Sequence, residues 1–432
     1  MEGAKIKQIT AELLNTTPDN IVGVGYGYKE VNGKTSSEKC ITFSVKEKKP
    51  LSEIPQSELL PSTIEIDGEV IKTDVVQLNL ELFGFIDCSD SDPDFYSWQS
   101  TTPGNRGSIR PLQGGISITN YTSLSSYVGT LGFIAVDNDT NSLVGVSNNH
   151  VLINDAFFAS DRDPNSSITN VYLPTGNLAT QPNESVNSSP TNRIGIVKKY
   201  QPISPAPAVN LVDVACIALD SSVVDENISW KQYGLTNITS APRFATTSEI
   251  DSALNNPNQV FYSSGRTTGA KGEGATKLYC STPIYNSSLS YKLQGINTTC
   301  NINDCFELRA KGPTTPEGDW CTYPSNSGDS GSAILTEIGG EFVIVGLLFA
   351  GAKTLWGLGP SVTTVCCRID NVATALNISA WNGSLTGISF SDNDNAETII
   401  VDGQSSEKNI IRNGKVFWQV GMTTSPSTDL QN

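Results

Sequence analysis

Three short stretches hold residue types that together perform nucleophilic chemistry. The first is SNSGDSGSAIL at 325–335, where Ser330 follows Gly328 and Asp329 and precedes Gly331. A nucleophilic serine needs an exposed hydroxyl on a tight turn, with backbone N–H groups converging on the developing oxyanion. The glycines permit such a path; a plain Gly/Ser turn between strands is the other reading. The second is GVSNNHVL at 145–152, which carries His150, the only histidine in 432 residues. Serine at neutral pH needs a base, usually imidazole, so His150 is the one candidate, against the alternative of a structural histidine. The third is NLVDVACIAL at 210–219, in which Asp213 is the lone acid of an apolar run. A carboxylate buried there needs a partner, and a histidine base needs a carboxylate to hold its tautomer. A capping or turn aspartate is the alternative.

The elements that must position these residues are short and β-rich. GGISI, GTLGFIAVD, SLVGVSNNHVL, RIGIVKKY, VNLVDVACIAL, QVFYSSGRTT, TKLYC, GSAILTEI and EFVIVGLLFAG are apolar, β-branched runs separated by turn residues. That pattern predicts an all-β barrel or sandwich over 114–375. Upstream, residues 4–15 have helical periodicity, and two hairpins are expected with Asn32-Gly33 and Asp67-Gly68 at their tips. The Pro-flanked piece LSEIPQSELLP between them reads as helical. Residues 1–80 therefore read as a small α+β domain without a catalytic constellation. Residues 81–113 read as a linker, on the stretch 87–113, which is acidic at first and then rich in Ser, Thr, Pro and Gly. Residues 376–432 read as a β-rich extension with a frayed tail. SSGRTTG at 263–269 and QVGMTTS at 419–425 echo each other, but two copies do not make a repeat.

Bulk composition narrows the partners. The formal net charge of −16 opposes a nucleic-acid partner, which requires clustered Lys and Arg, and opposes an anionic membrane surface. No apolar run is long enough to span a bilayer. The start MEGAKIKQITAELL lacks the apolar core of a secretion signal, so the chain reads as cytoplasmic, with secretion after signal removal as the alternative. Nine cysteines without a C-x-x-C pair, and one histidine, give zinc little support, and no cofactor is expected. The expected partner is a protein or peptide substrate, and a homo-oligomer stays open.

The chain order is His150, Asp213, Ser330, with gaps of 213 − 150 = 63 and 330 − 213 = 117 residues. It is the order of chymotrypsin-type peptidases; subtilisins and α/β-hydrolases use other orders and need parallel sheets. GDSGSAI resembles the nucleophile motif of chymotrypsin-like (trypsin-like) serine peptidases, NNHVL the histidine segment of their bacterial members, and VDVACIAL their aspartate segment. VGLLFAG resembles the strand lining the primary specificity pocket. More narrowly, NIVGVGYGYKEVNGK…CITFSVKEKKPLSEIP, with GTLGFIAVD and VGVSNNHVL, resembles bacterial and plant proteins related to the plant narrow-leaf regulator. The peptidase resemblance covers about 114–370, and the narrower one most of the chain except the tail.

The resemblance implies a mainly β fold, a double β-barrel of chymotrypsin type preceded by the small α+β domain. It implies a serine endopeptidase with Ser330 as nucleophile, His150 as general base and then acid, and Asp213 orienting His150. The backbone N–H groups of Gly328 and Ser330 would form the oxyanion hole. Phe349, Ala350 and Gly351 would line one wall of the primary pocket and pair with the substrate backbone. Pro324 would lie near the pocket base, where the absence of an acid disfavours Arg or Lys substrates, and Lys353 would favour an acidic or polar residue. Ser332 and Ala333 depart from digestive members, which carry Gly and Pro there. The Asp before the nucleophile pairs with a new N-terminus in many members; here a whole extra domain precedes Asp329. A regulatory or scaffold protein on a protease fold, with little or no turnover, is the alternative.

Overall fold

The computed structural model of the chain describes residues 8–10, 12–13, 20–31, 34–77, 79–82, 109–122, 125–152, 170–172, 193–204, 206–220, 228–272, 277–293, 296–311, 324–326, 328–353, 362–388, 398–401, 408–412 and 415–419. The chain is mainly β, as its short β-branched runs predict. Strands β1 (Ile21–Val31) and β2 (Lys34–Val45) form the first expected hairpin, whose Asn32-Gly33 tip lies outside the described residues. Strands β3 (Thr63–Ile66) and β4 (Glu69–Gln77) form the second. Its tip residues, Asp67 at φ 53° and Gly68 at φ 80°, are both left-handed, as a two-residue turn that matches strand twist requires. The expected helical piece between the hairpins is instead two separate 3₁₀ turns, Leu51–Glu53 and Gln56–Glu58, each entered from a proline. Pro55 lacks the N–H that would join them. Residues 8–10 and 12–13 are helical, and Ile9 and Leu13 pack on a core of Val24, Ile41, Phe43, Ile66 and Ile71. Strand β5 (Asn79–Leu82) begins two residues after β4 ends.

Strands β6 (Leu112–Gly114), β7 (Ser117–Thr122), β8 (Ser125–Thr130), β9 (Phe133–Asp137), β10 (Ser142–Ser147), β11 (Asn170–Tyr172), β12 (Arg193–Tyr200), β13 (Val209–Asn210), β14 (Ala215–Leu219), β15 (Ile228–Gln232) and β16 (Arg243–Phe244) follow. Then come β17 (Phe261–Gly265), β18 (Gly269–Lys271), β19 (Lys277–Leu293), β20 (Ile296–Lys311), β21 (Ala333–Ile338), β22 (Glu341–Lys353), β23 (Val362–Arg368) and β24 (Ile378–Ala380). Three more, β25 (Thr398–Val401), β26 (Lys408–Arg412) and β27 (Lys415–Gln419), make a small separate sheet. An eight-stranded sheet runs β24-β9-β10-β14-β12-β11-β7-β8. A larger one runs β13-β20-β23-β22-β21-β17-β19-β1-β2-β4-β3, so the N-terminal hairpins extend the same ladder that holds β21 and β22. The helices are α1 (Asn149–Leu152), α2 (Thr247–Leu254) and α3 (Ile369–Leu376). Among the described residues no helix is long and apolar enough to cross a membrane.

Two cores position the site. Phe133, Ala135, Val144, Val146, Val214 and Cys216 face the larger sheet and pack with Phe306, Leu335 and Leu347. Their chain neighbours Ile134, Leu143, Ala215 and Ile217 point the other way, onto Leu112, Ile118 and Leu131. Alternate residues of a strand face opposite sides, so β9, β10 and β14 are buried on both faces. That explains why VDVACIAL reads as one continuous apolar run.

Strands β19, β20 and β23 carry no clear sequence signal over their full length. In β19 and β20 only TKLYC reads as strand, because Asn, Ser and Thr dilute the alternation over the rest. The long antiparallel pairing, from Lys277 opposite Lys311 to Leu293 opposite Ile296, supplies the stability that local propensity does not. The run VTTVCCR, strand β23, lies between β20 and β22. Helix α2 starts with a reciprocal cap between Thr246 and Glu249, a signal legible in the spacing.

Candidate active site

His150 sits in α1, a single helical turn directly after β10, and Asp213 lies in the extended stretch leading into β14. Because β10 and β14 are antiparallel neighbours, with Ser147 opposite Ala215, the two residues leave the sheet at the same end. His150 Nδ1 lies 2.5 Å from Asp213 Oδ2, and the His150 backbone N–H donates to Asp213 Oδ1 at 3.1 Å. Both side chains are buried. A carboxylate at Nδ1 fixes the ring so that Nε2 is the free basic atom. Nε2 is buried and has no hydrogen-bond partner among the described residues.

The acid is held from behind. Asn148 Nδ2 donates to the Asp213 carbonyl at 2.6 Å, and the Asp213 N–H donates to Cys367 Sγ on β23 at 3.4 Å. Burial pushes the Cys367 thiol well above its ordinary value, so it stays protonated. Burial, then the charge of Asp213, pushes the Cys300 thiol up to about 12. Neither Asn148 nor Cys367 is singled out in the sequence. Tandem Asn before the histidine was a usable signal for the first; the second depends on β23 being recognised as a strand.

Ser330 lies in the turn that precedes β21, with Gly328 at φ 92° and Gly331 at φ 94°. These values are left-handed, the region glycine enters at low cost. A Cβ on Gly331 would meet Ser147 Oγ and the Thr130 carbonyl at 2.2 Å each. Thr130, at the end of β8, ties this turn to the histidine side. Its N–H donates to the Ser330 carbonyl (2.8 Å) and its hydroxyl to the Gly328 carbonyl (2.9 Å), while Ser147 Oγ donates to the Thr130 carbonyl (2.7 Å). A Cβ on Gly129 would meet Val151 at 2.5 Å and the Ser330 carbonyl at 3.0 Å, so the histidine turn and the serine turn flank one strand. The Ser330 hydroxyl donates to the Phe349 carbonyl at 3.5 Å. The N–H groups of Gly328 and Ser330 have no acceptor among the described residues.

Asp329 is enclosed by the turn between β17 and β18. Its carboxylate accepts from the N–H groups of Thr267 (2.7 Å), Thr268 (3.1 Å) and Asn326 (2.8 Å) and from the Thr268 hydroxyl (2.8 Å). Burial pushes this carboxyl up, and the four hydrogen bonds work against that rise. SSGRTTG thus has a local role, as the anchor for the residue before Ser330.

The expected pocket residues fall around β22. Pro324 is in a buried bend, and Ser325, next to it, hydrogen-bonds Thr364 on β23. Phe349, Ala350 and Gly351 are buried in β22. One edge of β22 pairs with β23, Ala350 opposite Val365 and Gly351 opposite Thr364. The other edge, where a substrate backbone is expected, carries β5: Leu82 is opposite Ala350 and Glu81 opposite Gly351. Position 81, expected to open a linker, lies within this strand.

No family model and no curated protein matches the sequence. Among solved structures, the chain is similar to Thermobifida fusca protease A, with a TM-score of 0.35, 14% identity, and 63% of this chain and 98% of that one covered. It is similar to a glutamic acid specific serine protease that uses a histidine triad in substrate binding, with a TM-score of 0.35, 15% identity, and 62% and 100% covered. It is also similar to Cellulomonas bogoriensis chymotrypsin, with a TM-score of 0.34, 13% identity, and 62% and 98% covered. At these scores the roles of individual residues rest on the geometry of this chain alone.

Proposed function

We propose that the chain is a serine endopeptidase acting through His150, Asp213 and Ser330. The observation that carries this reading is the state of the sole imidazole: Nδ1 is clamped by a buried carboxylate and Nε2 has no partner among the described residues. Ser330 would turn its hydroxyl from the Phe349 carbonyl to Nε2, which takes the proton as Oγ attacks the scissile carbonyl. The N–H groups of Gly328 and Ser330 would receive the oxyanion. The imidazolium, stabilised by Asp213, would protonate the leaving amine, and water would then hydrolyse the acyl-enzyme by the reverse proton path. The likeness to serine proteases agrees in kind with this reading. No cofactor enters it, and a protein or peptide is the substrate.

The second reading is a regulatory or scaffold protein on a protease fold. Two observations favour it: the Ser330 hydroxyl is engaged by Phe349, and the expected substrate edge of β22 is occupied. Labelling with a small alkyl fluorophosphonate separates the two. Labelling of the wild type, lost in Ser330→Ala, is the expected result. A wild type that stays unlabelled would sink the peptidase reading.

A further inference from the structure

Strand β22 offers one edge to three successive elements. Its first part pairs with β21, from Ile338 opposite Glu341 to Ala333 opposite Leu347. At Leu348 the edge meets the nucleophile turn: Gly331 N–H donates to the Leu348 carbonyl at 2.8 Å, and Leu348 N–H donates to the Ser332 carbonyl at 2.9 Å. From Ala350 onward it pairs with β5, antiparallel, with Leu82 opposite Ala350, Glu81 opposite Gly351, Leu80 opposite Ala352 and Asn79 opposite Lys353. The last residue of β5 therefore lies one position along the edge from Phe349, whose carbonyl receives the Ser330 hydroxyl.

An extended peptide binds a protein most simply by adding a strand to an open edge, where main-chain hydrogen bonds supply affinity. The stretch of β22 beside Ser330 is such an edge, and the chain has filled it with its own backbone. β5 runs toward the nucleophile and is also bridged on its far side to β19, Glu81 opposite Ser290. We propose that β5 is a built-in competitor for peptide substrates, which must displace it to lie alongside Ser330. This rests on the peptidase reading above and adds to it the identity of the first occupant of the substrate edge. A small reagent that needs only the nucleophile would not need β5 to leave.

The test compares two probes on the full chain. One is the small alkyl fluorophosphonate, which reports Ser330 alone; the other is fluorescein-labelled casein, an extended substrate. Glu81→Pro removes an N–H from a strand paired on both sides and disfavours that pairing. Its kcat/KM on casein should rise about ten-fold or more, the equivalent of one or two main-chain hydrogen bonds, while the labelling rate stays as in the wild type. Leu80→Gly with Glu81→Gly loosens the strand more gently and decides the matter if the proline variant fails to fold. Labelling at the wild-type rate with no rise in casein cleavage would overturn the competitor role of β5. A wild type that does not label at all fails the peptidase reading instead, so the two failures are distinct.

Discussion

His150 is tied to Asp213 at two points, through the ring Nδ1 to Oδ2 at 2.5 Å and through the backbone N–H to Oδ1 at 3.1 Å. One contact sets the ring and the other sets the chain that carries it. Asp213→Asn keeps the shape but offers an N–H₂ where the ring needs an acceptor, so fluorophosphonate labelling should slow by roughly 10³–10⁴-fold, as in other triads. His150→Ala should abolish it, since the chain has no second histidine to substitute. Rates would be read by intact-mass spectrometry of quenched time points, on samples with matched circular dichroism.

The enclosure of Asp329 makes a different demand. A methyl group on Gly265 would sit 2.3 Å from Asp329 Oδ1, too close for any packing adjustment of the carboxylate that keeps its four hydrogen bonds. Gly265→Ala should therefore destabilise the fold by about 2–4 kcal/mol and lower the fraction of labelled chains, as breaking a buried polar network does. Urea unfolding checks the first and labelling amplitude the second. A variant equal to wild type in both would show that this turn does not hold the nucleophile loop.

Cys367 links the acid to β23, and β23 links to the nucleophile turn through β22, Cys366 standing opposite Leu348. Cys367→Val fills similar space but leaves the Asp213 N–H without its acceptor, at a cost of about 1–3 kcal/mol. Cys367→Ser restores an acceptor. The expected order of labelling rates is wild type, then Ser, then Val. Equal rates for the Val and Ser variants would remove sulfur from the account.

Acid stability follows from Asp137 at the end of β9. Burial alone would raise its carboxyl, but the ammonium groups of Lys198 and Lys199, the Asp139 N–H and the Thr140 hydroxyl outweigh it and hold it down to about 2. A depressed carboxylate contributes stability above its unfolded value of about 3.9, and that contribution is lost as pH falls through the folded value. Wild type should exceed Asp137→Asn in stability at pH 5 to 7, and the difference should shrink between pH 4 and pH 2. Chemical denaturation at a series of pH values measures it, and a constant difference would contradict the ion-pair origin.

Much of this arrangement was legible before any coordinates. Ser330, His150 and Asp213 stood out because each combined a reactive group with a local setting that needed explaining: a glycine-flanked turn, a unique imidazole, an acid in an apolar run. The strands next to His150 and Asp213 were visible because β10 and β14, like β9, are buried on both faces. What stayed hidden depends on long-range pairing. The Asn- and Ser-rich β19 and β20 are strands because each completes the other, and no window of their sequence contains that information. Asn148 and Thr268 are ordinary residues until the chain brings a carbonyl or a carboxylate to them, and Cys367 until it brings the Asp213 N–H. β5 straddles the boundary drawn at 80/81 between the N-terminal domain and the linker, and only the ladder with β22 reveals it as a strand.

One residue separates the end of β4 at Gln77 from the start of β5 at Asn79. Because β5 belongs to the same chain as β22, it meets its partner intramolecularly, at an effective concentration independent of the concentration of the protein. Dilution cannot relieve that competition, and only a substrate of comparable local abundance, or a pull on the N-terminal hairpins that draws β5 away, can tilt it. On the proposed reading, the N-terminal strands would set the threshold at which an outside peptide is admitted.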